Sequence, residues 1–233
     1  MTESLRLFAA AALAGAAVLA AEPGIMYSAF APHEVAVSTD PDSPFWRGAP
    51  AVFADRDAMG RPVPGHRTEI RSRWTSRSLY FLFVCPYREL HLKPNPRTEA
   101  ETFALWNWDV AEVFLGSDFR EIRRYKEFEV SPRNEWIDLD IDLRKPHHEE
   151  GWTWNSGFTH AARIDRKAKV WYAALCIPYA AVDTHAAAAG NRLRLNLYRS
   201  QGAPPNQVTI AWQPTMTATF HTPERFGLLE LTP

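Results

Sequence analysis

Tryptophan rings and carboxylates lie close together within one stretch of the chain, residues 105–142. Trp106 is followed by Asp109 and Glu112, and Trp136 is followed two residues later by Asp138. An indole ring offers a flat face to the C–H groups of a polyhydroxylated ring, and carboxylates at its edge accept hydrogen bonds from hydroxyl groups. This combination indicates sugar recognition; the alternative is a core tryptophan beside a solvated strand face.

Strands must position these side chains. Residues 110–116 and 125–131 alternate with the period of two that is typical of half-buried strands, and residues 131–134 form a turn into the next strand. About ten or more such short runs follow one another along the chain, with turn signals between them. We therefore predict an all-β fold, a two-sheet antiparallel β-sandwich of jelly-roll or immunoglobulin-like type.

Composition restricts the classes of partner. The chain has 233 residues, of which 46% are hydrophobic, so it is long enough for one large domain with a substantial core. Its formal net charge of −1 gives no electrostatic reason to expect nucleic acid or an anionic membrane surface as partner. Nine tryptophans exceed what the packing of such a domain usually needs, which favours a role for some of them in binding.

The N-terminus has an apolar run over residues 7–21 that is too short for a comfortable membrane span. It predicts a signal peptide over residues 1–21, and hence a secreted or periplasmic protein with no membrane span after cleavage. The alternatives are an uncleaved N-terminal helix and a start at Met26. Residues 22–32 then form a linker, and residues 33–233 form the β-sandwich domain.

Two cysteines, Cys85 and Cys176, lie near the ends of apolar runs. They could pair in an oxidising compartment if their strands are neighbours. They could equally be buried thiols that pack as small hydrophobic side chains.

The order of the segments resembles carbohydrate-binding module family 9 and similar β-sandwich domains of secreted bacterial proteins. The resemblance covers about residues 33–231. It rests on these segments: SLYFLFVC, LWNWDVAEVFLG, YKEFEVSPRNEWIDLDI, VWYAALCIPYAAV, RLRLNLYRS, AWQPT and FHTPERFGLLEL. The family is expected to bind sugars on a jelly-roll sandwich, and many of its members are attached to glycoside hydrolases, which suggests a part in carbohydrate catabolism.

In sugar-binding members of this family, two tryptophans clamp the ring and nearby polar groups bind its hydroxyls. Trp106 and Glu112 match the first clamp residue and its carboxylate, with the same spacing of six residues, and Trp212 is the natural counterpart of the second. The resemblance also implies further polar ligands at Arg199, Lys126 and Asn206.

A calcium ion is a second expectation. Asp138, Asp140 and Asp142 alternate and share one strand face, where they repel one another unless a cation or basic side chains separate them. Some family members bind calcium, so we predict Asp138 and Asp140 as metal ligands. The alternative is pairing with Arg144, Lys145 or an arginine of the neighbouring strand.

Two other classes of function stay open. Glycosidases use two carboxylates, so Asp109 and Glu112 could form a catalytic pair. Alternatively, the chain is a structural or interaction domain that keeps the scaffold without a sugar site. The accessibility of Trp106 and Trp212 separates this second class from a sugar-binding domain.

Overall fold

The computed structural model describes residues 24–233, so the predicted signal peptide lies outside the described residues. Within them the chain forms thirteen strands and four short 3-10 turns, which confirms the all-β prediction. The strands are β1 Ile25–Phe30, β2 Ala51–Ala54, β3 Arg56–Asp57, β4 Thr68–Trp74, β5 Ser78–Pro86, β6 Val110–Gly116, β7 Arg124–Val130, β8 Trp136–Asp142, β9 Thr159–Asp165, β10 Val170–Pro178, β11 Arg192–Gln201, β12 Val208–Ala211 and β13 Gly227–Thr232. The turns are Leu105–Asn107, His148–Thr153, Tyr179–Ala181 and Pro223–Arg225.

All thirteen strands belong to one hydrogen-bonded sheet. Its main path runs β8-β7-β6-β11-β13-β1-β4-β5-β10-β9, with β12 beside β11 and β2 beside β4. Most neighbours are antiparallel, as predicted, but β1 pairs in parallel with both β13 and β4. The parallel β1 joins the two halves of the sheet.

The two halves of the sheet share one apolar core. Val113 of β6 and Leu197 of β11 belong to the same cluster of buried side chains as Phe81 of β5 and Leu175 of β10. Because β-strand side chains alternate between faces, these residues mark the inner faces of the two halves. Burial of this apolar surface is the main favourable contribution to folding.

The sheet begins earlier than the sequence analysis placed it. β1 lies inside residues 22–32, the segment predicted to be a linker, and its Met26 and Ser28 side chains are fully buried. Residues 33–37, where the predicted β-sandwich domain begins, form no strand. Proline and glycine around β1 suggested a loop, whereas its pairing with β13 at the other end of the chain outweighs that local signal.

Cys85 and Cys176 are free thiols. They lie on the neighbouring strands β5 and β10, but Cys85 pairs with Trp171 and Cys176 pairs with Tyr80, so the register keeps them apart. In residues 24–233 the helical segments are all short 3-10 turns, and none has the length and hydropathy of a membrane-spanning helix.

A second apolar cluster covers the outer face of the β8-β7-β6-β11 half. It contains Phe114, Leu139 and Tyr198, and loop residues such as Leu105 and Phe226 pack onto it. These strands are therefore buried on both faces, not half-buried as the alternation predicted. The loops that cover this outer face leave a cavity above it.

Candidate functional site

A cavity of about 560 Å³ opens on the outer face of β6, β7, β8 and β11. Its floor is formed by Glu112, Phe114, Glu127 and Ser200, which alternate with side chains that point into the main core. Its walls come from the loops around residues 103–107, 148–149, 207–209 and 218–221. The cavity is of the size typical of small-molecule sites.

Aromatic rings form two parts of the wall. Phe103 meets Trp106 edge to face, with ring centroids 5.4 Å apart. Phe220 stacks on Tyr198, with centroids 3.9 Å apart and an interplanar angle of 14°. Both Trp106 and Phe220 line the cavity, so it offers flat apolar surfaces beside polar groups.

A short turn holds Trp106 at the cavity. The turn spans Leu105–Asn107 and follows Ala104, whose φ of 59° lies in the left-handed region. Leu105 is fully buried in the second apolar cluster and anchors the turn. Trp106 itself is half-buried, because one part of its ring packs on that cluster and the other part faces the cavity.

Three buried carboxyl groups lie together at the floor. Glu112 of β6 is directly opposite Glu129 of β7 in the antiparallel ladder, and Glu127 is two residues away on the same face. Carboxylate oxygens of the three residues lie within 4.8 Å of one another. Ser200 Oγ donates a hydrogen bond to Glu112 Oε1 (3.1 Å), whereas, among the described residues, no donor from outside the carboxyl cluster reaches either oxygen of Glu129.

Burial raises the pKa of all three carboxyl groups. The pKa of Glu127 rises to about 7, and the pKa of Glu112 lies well above its usual value because burial is reinforced by the charge of Glu127. The pKa of Glu129 is raised by burial and by both neighbouring carboxylates. Without a bound cation, this group therefore holds protons near neutral pH.

A histidine fixes the rim of the cavity. His221 Nδ1 is hydrogen-bonded to the Tyr125 hydroxyl at 2.6 Å, and its ring packs on Phe114. Burial lowers the pKa of His221 to about 4, so its ring is neutral at neutral pH. The pair ties the loop of residues 218–221 to the sheet.

The structure brings Trp106 and Glu112 to this cavity, but Lys126 lies elsewhere. Strand alternation turns Lys126 to the opposite face of β7 from Glu127. There its ammonium group pairs with Asp140 at 2.7 Å and lies 4.2 Å from the centre of the Trp154 ring.

Arg199 is fully buried on the inner face of β11. Its guanidinium group donates to Pro86 O (2.8 Å), Thr68 Oγ1 (3.2 Å) and Gln201 Oε1. These contacts give Arg199 a structural position in the core, away from the cavity.

Trp212 and Asn206 also lie outside the cavity. The Trp212 ring packs against the main core and against Gly227, where a Cβ atom would come within 2.7 Å of the ring. Asn206 is exposed in the loop after β11, whereas its neighbour Gln207 lines the cavity. The structure does not assemble the slot between Trp106 and Trp212 that the family resemblance implies.

Asp109 and Glu112 do not line one cavity. Asp109 accepts hydrogen bonds from the backbone N–H groups of His91 (3.1 Å) and Gly202 (2.6 Å) and from Gln201 Nε2 (2.9 Å). Asp109 therefore links the loop at His91 to the loop at Gly202 through hydrogen bonds. The two members of the alternative catalytic pair therefore do not share the cavity as a space for a substrate.

Within the described part of the chain, the residues predicted to bind calcium are not gathered with a third potential ligand. Asp138 accepts a hydrogen bond from Ser156 N (2.9 Å) and sits beside Glu101, whose pKa is raised to about 7 by burial and by the Asp138 charge. Asp140 is neutralised by Lys126. In residues 24–233 the one group of three or more potential metal ligands is Glu112, Glu127 and Glu129, on the opposite face of the sheet.

Sequence reasoning did not identify Phe103, Phe220 and His221 of the cavity wall or Glu129 of the carboxyl cluster. Glu129 alternates with Glu127 and so belongs to the same strand face, a signal that the sequence did contain. Phe220 and His221 lie in the FHTPERFG segment of the resemblance. Their approach to β6 and β7 depends on the packing of a distant loop.

Comparison with known proteins gives one distant relative and several structural neighbours. No family model matches the sequence. An extracellular protein of Arthroderma benhamiae is 24% identical over 176 residues, which are 69% of this chain and 76% of the relative.

Solved structures match the fold at low sequence identity. A family 9 carbohydrate-binding module of Caldicellulosiruptor kristjanssonii, solved with cellotriose and with glucose, gives a TM-score of 0.64 at 12% identity in both cases. The matches cover 90% of this chain and 94% and 96% of those chains. A candidate carbohydrate-binding protein of Bacteroides uniformis gives a TM-score of 0.69 at 13% identity, over 90% of this chain and 100% of the other. This chain therefore has the fold of carbohydrate-binding module family 9.

Proposed function

We propose that the protein binds a sugar in the cavity at Trp106 and Glu112. The observation that carries this proposal is one space in which an accessible indole face meets a buried carboxyl group. A pyranose stacks through its C–H face on an aromatic ring, while its hydroxyls exchange hydrogen bonds with polar groups at the ring edge. The likeness to a fold solved with cellotriose and glucose supports the same ligand class.

The second aromatic surface in this proposal is Phe220. It lines the cavity together with Trp106, and its stacking on Tyr198 holds its ring plane in place. Phe220 therefore takes the part that the resemblance implies for Trp212. The sugar would lie between two aromatic walls, with Glu112 and Ser200 beneath it.

We infer binding without bond cleavage, on a two-layer sandwich scaffold. A glycosidase of the expected type would need Asp109 beside Glu112, and Asp109 is held by three donors outside the cavity. The protein is accordingly proposed as a secreted recognition domain, and the extracellular relative supports that location. Incubation with cello-oligosaccharides should release no reducing ends.

Isothermal titration with glucose, cellotriose and a panel of other oligosaccharides tests the proposal. We expect saturable binding of at least one sugar, and weaker binding after Glu112→Gln, which changes the acceptor pattern with little change of shape. Absence of binding to every sugar by the folded protein would favour the alternative, an interaction domain without a sugar site.

A further inference from the structure

The carboxyl cluster formed by Glu112, Glu127 and Glu129 is buried, and no basic side chain of residues 24–233 pairs with it. The three side chains are between 0% and 3% exposed. Burial, the neighbouring carboxyl groups of the cluster and the Ser200 hydroxyl shift the pKa values of these three residues. No basic side chain is among these causes. Buried carboxylates are normally paired with a basic side chain or a metal ion.

Glu129 adds an independent observation. Its side chain is fully buried, and neither of its carboxylate oxygens accepts a hydrogen bond from a described group outside the carboxyl cluster. One oxygen of Glu127 is likewise buried and unpartnered. An unpartnered buried acceptor is costly, so three of them within one cluster indicate a missing positively charged partner.

The spacing of the oxygens suits a cation. Oxygens that bind a common Ca²⁺ lie about 2.3–2.6 Å from it, so two of them can be at most about 5 Å apart. Oxygens of all three glutamates satisfy that limit, since they lie within 4.8 Å of one another. The set contains carboxylates without histidine or cysteine, which selects hard cations over zinc or copper.

We propose that Glu112, Glu127 and Glu129 bind a hard divalent cation, with Ca²⁺ as the preferred ion, at the floor of the cavity. Glu112 and Glu127 line the cavity and give the ion a route of entry, while Glu129 binds from beneath. Water in the cavity can complete the coordination of the ion. This site lies on the opposite face of the sheet from Asp138 and Asp140.

Titration of the metal-stripped full-length protein with CaCl₂ alone, followed by calorimetry, tests the site without any sugar. We expect one saturable site and a higher melting temperature with Ca²⁺. Glu129→Gln removes a ligand while keeping the shape, and should weaken Ca²⁺ binding at least ten-fold. Glu99→Gln, at an exposed glutamate outside the cluster, should leave it unchanged.

The wild-type melting temperature is a second readout that does not depend on whether the variants fold. The proposal is overturned if Ca²⁺, Mg²⁺ and Mn²⁺ all fail to bind and leave the wild-type melting temperature unchanged, because the three glutamates would then be balanced by protons alone. It is equally overturned if Ca²⁺ binds undiminished to a folded Glu129→Gln variant. Sugar binding is measured in a separate titration, so a failure of the cation site can be distinguished from a failure of the sugar site.

Discussion

Glu112 and Glu129 face each other directly across the β6–β7 ladder, both buried. Like charges at directly opposed positions destabilise a pair of strands. A protein that keeps such a pair at the floor of a cavity sacrifices stability there, and this is common at functional sites. The pair therefore connects the stability of the sheet to the chemistry of the cavity.

The first prediction concerns this pair in the absence of metal. Above pH 7, where the carboxyl groups begin to lose their protons, Glu129→Gln should raise the melting temperature of the metal-stripped protein, corresponding to up to about 1 kcal/mol. A neutral amide removes the repulsion and supplies donors to Glu112 and Glu127. Thermal unfolding monitored by circular dichroism measures this. A lower melting temperature, with Glu99→Gln unchanged, would contradict the assigned repulsion.

The second prediction separates the two tryptophans of the expected clamp. Trp106→Ala should weaken sugar binding by about ten-fold or more, equivalent to about 1.4 kcal/mol, because the stacking face is lost. Trp212→Phe should leave the affinity unchanged, because Trp212 packs against the core and Gly227 outside the cavity. If both folded variants lost affinity equally, the result would support a clamp formed by Trp106 and Trp212, as the family resemblance implies.

The third prediction assigns Arg199 to the core. Arg199→Leu should lower the free energy of unfolding by about 2 kcal/mol or more, because Pro86 O and Gln201 Oε1 lose their donor inside the protein. Urea unfolding gives the stability. Calorimetry at a temperature where the variant is folded should show unchanged sugar affinity; a selective loss of affinity would return Arg199 to the binding site.

The fourth prediction is a pH dependence. Burial lowers the pKa of His160 to about 4, and its ring contacts Asn134 and Trp136. Because the unfolded chain binds the proton at about pH 6.5, the stability contributed by the neutral ring is complete above that pH and is lost as pH falls toward 4. Stability should thus decline over this range.

His160→Gln isolates that contribution, because its side-chain amide can still hydrogen-bond to Asn134 but does not titrate. Urea unfolding of both proteins across the range should show a shallower decline in the variant. If both decline equally steeply, another group carries the pH dependence.

The alternation of polar and apolar residues predicted which side chains face the cavity on two of the strands that carry it. The alternation in residues 110–116 and 125–131 correctly separates Glu112 and Glu127 from Val113 and Phe128, which lie in the core. The same alternation places Lys126 on the far face. The alternation therefore argued against Lys126 as a sugar ligand, although the family resemblance favoured it.

Other features depend on contacts that are distant in sequence. β1 is fixed by its pairing with β13, which lies about 200 residues further along the chain. Whether Phe220 or Trp212 lines the cavity together with Trp106 depends on how the loop of residues 218–221 returns to the sheet. No local period encodes that return, so spacing alone could not identify the second aromatic wall.

The most direct measurement of the central claim is calorimetric titration of wild-type protein and Trp106→Ala with the same sugar panel under identical conditions. We expect saturable binding of at least one sugar by the wild type and an affinity weakened about ten-fold or more in the variant. Undiminished binding by a folded Trp106→Ala variant, or no binding by the wild type, would contradict it.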